Sequence, residues 1–171
     1  MVANVPEIGL EAQVLLGVLD RSGSLSVVER GNVADAALRL ALSHGKTQDA
    51  TCERLAYSAL SILVNSFHTV IGVVGVPANF IYDKEGKDTS QLCRKSMLRM
   101  MMTIKDYKND LSCTVANDIR AALSQLAVLC KSDLNLNGLN SVAVQKRKIV
   151  LKELWEHIVK LNCILGGGVQ L

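Results

Sequence analysis

The sequence predicts an all-α, single-domain bundle of about six helices packed around a buried central helix at about residues 48–74. Three observations carry that expectation. Aromatic residues make up only 4% of the chain while Ala, Leu, Met, Lys and Arg are plentiful, a composition poor in strand formers and rich in helix formers. Apolar residues recur at spacings of three and four in successive segments, and Gly, Pro and Asn punctuate the chain between them. With 171 residues and 49% hydrophobic content, the chain is long enough to bury one core without disulfides or metal. The expected organisation is one helical domain over 1–165, with N-terminal helices in 6–76, a loop at 77–88, C-terminal helices in 89–165 and a flexible tail at 166–171.

Pro6 suits the first turn of a helix, and Ile8, Val14, Leu15, Val18 and Leu19 follow near helical spacing before the break at Arg21-Ser22-Gly23-Ser24. Ser26 with Glu29 three residues on forms a capping box for the second helix. Gly31-Asn32 is a point where that helix restarts, after which Val33, Ala37, Leu40 and Ala41 carry it to a stop at Gly45. Thr47 is the expected N-cap of the third helix, with Asp49 in its first turn where a carboxylate meets the positive helix end. This helix is apolar nearly all round, leaving a stripe of Ser58, Ser61, Asn65, His68 and Gly72; such a helix belongs at the centre of a bundle.

No charged residue occurs from Leu55 to Tyr82, a stretch long enough to span a bilayer. Its scattered polar side chains, Pro77 and Asn79, and the amphipathic segments elsewhere favour a buried soluble helix instead. Pro77 and the Asp83-Lys84-Glu85-Gly86-Lys87 cluster then mark a loop. Asp88 with Gln91 caps helix four, where Cys93, Met97, Met100, Ile104 and Tyr107 step 4, 3, 4, 3 along one face. After the Asn109-Asp110 break, Val115, Ile119, Ala122, Leu126 and Leu129 repeat that spacing in a fifth helix expected to end near Cys130. A leucine-bearing loop with an Asn137-Gly138 turn leads to Asn140 or Ser141 as the cap of helix six. That helix aligns Val144, Leu151, Leu154, Ile158, Leu161 and Leu165, interrupted by Arg147, and stops at Gly166-Gly167-Gly168.

The charges narrow the chemistry. The net charge is +3, distributed as five basic against seven acidic residues over 1–60, seven against five over 61–110 and seven against four over 111–171. A basic C-terminal half is compatible with nucleic acid, with an anionic membrane surface or with an acidic protein partner. The five cysteines are odd in number, have no C-x-x-C pair and fall within apolar helical patterns, so the expectation is small core residues in a reducing compartment. Glu7 and Glu11, with no basic residue before Arg21, fit neither a secretory signal nor a transit peptide; the expected location is cytoplasmic or nuclear.

Catalytic signatures are missing. Gly45-Lys46-Thr47 has Leu40 where a phosphate loop requires glycine, and Gly72 with Gly75 lacks the third glycine of a dinucleotide fingerprint. No short Cys or His pair offers a zinc knuckle; His157 and Cys163, six apart, have no further ligand in sequence reach. His44, His68 and His157 stand beside no evident nucleophile, and paired carboxylates are absent from the apolar segments. The expectation is therefore no catalytic residue, metal, cofactor or small-molecule substrate, with an enzyme site dispersed around His68 as the remaining catalytic alternative.

Two binding surfaces remain. Arg94, Lys95, Arg99, Lys105 and Lys108 on helix four, with Lys146, Arg147, Lys148 and Lys152 on helix six, form basic clusters that would merge if the two helices packed together. Phosphate backbones are their natural ligand, although Lys152–Glu156 and Glu156–Lys160 at i, i+4 equally describe a solvated face. Only six aromatic residues are available for base stacking, which favours backbone or duplex contact over single-strand reading. Met97, Met100, Met101 and Met102 either line an adaptable groove for a partner or belong to the core, but they span a helix circumference and cannot all face inward, so at least one is expected at a surface or an interface. The leading expectation is a non-catalytic assembly or adaptor protein working by helix-face contacts with a protein partner or with itself. Nucleic-acid binding through the basic half is the alternative.

Overall fold

The computed structural model describes residues 7–21, 25–44, 50–74, 89–134 and 142–166. These form six helices and, among the described residues, no strand: α1 (Glu7–Asp20), α2 (Val27–Ser43), α3 (Ala50–Val74), α4 (Thr89–Asp106), α5 (Cys113–Leu134) and α6 (Val142–Ile164). The all-α bundle read from the sequence is the observed fold.

α3 is the central element. It packs against all five other helices, and Leu55, Ala56, Ala59, Leu60, Ile62, Leu63 and Phe67 are buried along it. Around it, α4 buries Cys93, Met97, Met100 and Ile104, and α5 buries Val115, Ile119, Ala122 and Leu126, as their 4, 3, 4 spacings require. Leu151, Leu154, Ile158, Leu161 and Leu165 do the same for α6. At the start of α2, Ser26 has extended backbone and its hydroxyl accepts from the Glu29 amide at 3.2 Å, satisfying one orphan donor of the first turn. At the other end of the chain Gly166 adopts φ +93°, which terminates α6 at the first glycine of the triplet.

Several local expectations are corrected. α2 does not restart at Gly31-Asn32 but passes straight through. Gly31 is buried there because α4 crosses closely: a Cβ at this position would stand 2.5 Å from Ser96 Oγ and 2.8 Å from Ser96 Cβ. α5 continues past Cys130 to Leu134. The core face of α1 is Ala12, Leu16 and Leu19, while Val14, expected inside, is 64% exposed. Among the cysteines only Cys52, Cys93 and Cys130 are buried; Cys113 and Cys163 lie at the surface. The 77–88 loop, the Thr47, Asp88, Asn140 and Ser141 caps and the 167–171 tail lie outside the described residues.

Candidate docking cleft

The position of α4 is set from two sides. On the α2 side, Thr103 donates its hydroxyl to Asp35 Oδ1 at 2.7 Å, and Arg99 Nη1 donates to Asn32 Oδ1 at 3.2 Å. With the Gly31–Ser96 approach, these contacts climb both helices together, so α2 and α4 run in the same direction. Asp35 is buried, and its second oxygen is held by Arg39 Nε at 2.9 Å, so the carboxylate is paired on both sides. That pairing, foremost the hydrogen bond, raises the pKa of the Arg39 guanidinium. On the other side of α4, Arg94 Nη1 meets Glu153 Oε2 of α6 at 3.4 Å.

α6 is fastened to α5 in turn. Arg120 Nη2 donates to the Leu165 carbonyl at 3.3 Å while Nη1 donates to Asn117 Oδ1 at 3.1 Å. Lys131 Nζ stands 5.5 Å from the centre of the Trp155 ring, within range of a cation–π contact. Trp155 is half-buried against the core and so serves the α5–α6 packing.

Between the C-terminal halves of α4 and α6 lies a partly open cleft of about 420 Å³. Met101, Leu161 and Ile164 contribute apolar lining, Met102 and Val159 extend it outward, and Lys105, His157, Lys160 and Cys163 complete it. Met102 is 48% exposed, whereas Met97, Met100 and Met101 are at most 3% exposed and belong to the core. The methionine cluster therefore offers one side chain, not four, to the surface. The cleft combines an apolar interior with two exposed ammonium groups, Lys105 and Lys160.

The basic residues that would merge into one patch if the two helices packed together differ in their surroundings. Arg94 is committed to Glu153 and Arg99 to Asn32. Lys95, Lys105, Lys108 and Lys152 are exposed, and Lys148 is half-buried. Lys146 and Arg147 lie in the first turns of α6, and their side chains are outside the described residues.

The polar stripe of α3 lines shallow grooves against α5. One is bordered by Glu53, Arg54, Tyr57, Ser58 and Asp118, the other by Val64, Asn65, Ser124, Gln125, Val128 and Leu129. Partial burial raises the pKa of Asp118 above its ordinary value. Ser61 donates to the Tyr57 carbonyl at 3.1 Å, a bond back to its own helix. The His68 side chain lies outside the described residues. Among those described, no group of three His, Cys, Asp or Glu side chains is placed to hold a metal ion, and no helix is long and apolar enough to cross a membrane.

Fold and cleft together define an all-α bundle with an apolar, lysine-bearing surface cleft. Comparison with protein-family models, with curated proteins and with solved structures finds no match.

The cleft is the feature sequence reasoning missed. Its α4 wall was visible in the methionine cluster and in Lys105, but the meeting of that wall with Lys160, Leu161 and Ile164 depends on how α4 and α6 pack.

Proposed function

We propose that this chain is a non-catalytic adaptor or assembly protein whose α4–α6 cleft receives the apolar face of an acidic amphipathic helix. One observation carries the reading: Met102, an adaptable and half-exposed thioether, continues the apolar lining of a cleft that also presents Lys105 and Lys160. Helix-in-groove recognition needs such a combination, with apolar anchors for burial and rim charges for orientation and choice of partner. A nucleic-acid backbone would make little use of the apolar lining, and two of the arginines it would need already have protein partners.

The test is fluorescence anisotropy with a labelled synthetic peptide, helical and acidic with leucines at i, i+4 and i+7, and in parallel with a labelled duplex. Saturable peptide binding is expected, lost in Met102→Glu and weakened about tenfold in Lys105→Glu/Lys160→Glu, roughly 1.4 kcal/mol. Absence of peptide binding overturns the proposal. Salt-sensitive duplex binding lost on reversing Lys95, Lys108 and Lys152 would assign the basic face to nucleic acid instead.

A further inference from the structure

We infer that the helix the cleft receives is α1 of a second copy of this chain. The inference rests on the reading of the cleft given above and adds the identity of its occupant. α1 has two apolar faces. Ala12, Leu16 and Leu19 are buried in the bundle, while Leu10 and Val14 stand 70% and 64% exposed. Leu10 and Val14 stand at i and i+4 as two anchors of the kind a groove reads, and Gly17 at i+7 continues the same face without a side chain. Nothing lies within 4 Å of the point a Gly17 Cβ would occupy, so a second helix meets no obstacle along that end of the stripe. Glu11 is exposed next to Leu10, and Glu7 precedes it by one turn of the same helix.

The two surfaces are complementary in both properties that matter. An apolar stripe beside Glu11 matches an apolar cleft beside Lys105 and Lys160. The complementarity extends to the segments that carry them, with an acidic excess over residues 1–60 and a basic excess over 111–171. α1 packs on α2 and α3 through its other face, whereas the cleft is built by α4 and α6. The outward stripe of α1 is therefore open to a second molecule. Because donor helix and acceptor cleft are different surfaces, two copies can exchange helices as a reciprocal, two-fold pair, or the contact can be heterologous and generate a ring or an open chain of copies. A single helix in a single cleft is a small interface, so the association is weak and strongly concentration-dependent.

The experiment is complementation between two variants of the full chain, read as mass by light scattering up to the solubility limit. Leu10→Glu/Val14→Glu removes the donor stripe and Met102→Glu/Lys105→Glu removes the acceptor; all four positions are exposed, and circular dichroism checks that both variants remain helical. The wild type is expected to gain mass with concentration, each variant alone to remain monomeric, and the equimolar mixture to recover a one-to-one complex. A wild type that stays monomeric, a variant that still associates alone, or a mixture that fails to re-form the complex overturns the inference. If the wild type is monomeric yet binds the acidic peptide, the inference fails while the proposed function stands; loss of both disposes of both.

Discussion

Thr103 and Asp35 meet across the buried seam between α4 and α2, hydroxyl to carboxylate at 2.7 Å. Arg39 takes the other oxygen from a half-exposed position, where water can replace it, whereas the Thr103 contact is buried. Thr103→Val keeps the shape and removes the donor, leaving a buried charged oxygen unpaired at an expected cost of about 2 kcal/mol. Arg39→Ala removes a half-exposed partner and should cost about 1 kcal/mol or less. The difference is read from urea midpoints of the two variants at unchanged slope.

Two glycines within helices should respond to alanine with opposite signs. Gly17→Ala is expected to stabilise the protein by about 0.5–1 kcal/mol, since the new Cβ meets nothing and the unfolded chain loses freedom. Gly31→Ala drives a Cβ into Ser96 and should destabilise by about 1–3 kcal/mol despite the same intrinsic preference. The double variant Gly31→Ala/Ser96→Gly restores part of that loss, and a thermodynamic cycle measures the coupling.

Asp118 gives a pH signature of defined sign. Burial raises its pKa in the folded state, so the folded form binds the proton more tightly and this group's contribution to stability falls as pH rises through the interval between its unfolded and folded pKa values. Asp118→Asn should therefore be more stable relative to the wild type at neutral pH, and that advantage should vanish below the ordinary carboxylate range. Thermal melts of both proteins at acidic and neutral pH check it.

The thiols report on the cleft directly. In the folded protein Cys113 and Cys163 should react promptly with a thiol reagent, while Cys52, Cys93 and Cys130 react only on unfolding. Cys163 lines the cleft and Cys113 does not. Occupation by a helix should slow labelling of Cys163 alone, which mass spectrometry of the labelled peptides resolves.

How much of this could be read from the sequence depended on whether local spacing or distant packing decided it. Cys93, Met97, Met100 and Ile104 announced a buried face because one helical turn fixes their relation, and the Ser26 cap was visible for the same reason. Gly31 looked like a break because glycine is a breaker locally; its reason is Ser96 on another helix. Val14, Cys113 and Cys163 were counted inside because apolarity ranks residues by burial on average, whereas the phase of each helix against its neighbours settles the individual case. Which of the basic residues carry side-chain partners was likewise not legible, since Arg94 and Arg99 meet theirs on α6 and α2.

The last turn of α6 has a consequence for how the cleft would work. Gly166 ends the helix with φ +93° and Arg120 grips the Leu165 carbonyl from α5, one residue beyond Ile164 and two beyond Cys163 in the cleft wall. A helix terminus ordinarily frays, and a wall made of one would have to be ordered anew by each visitor. Tied down at its end, the backbone of this wall would not have to be ordered by a bound helix, and Arg120→Ala should weaken capture of a helix without touching a residue that contacts it.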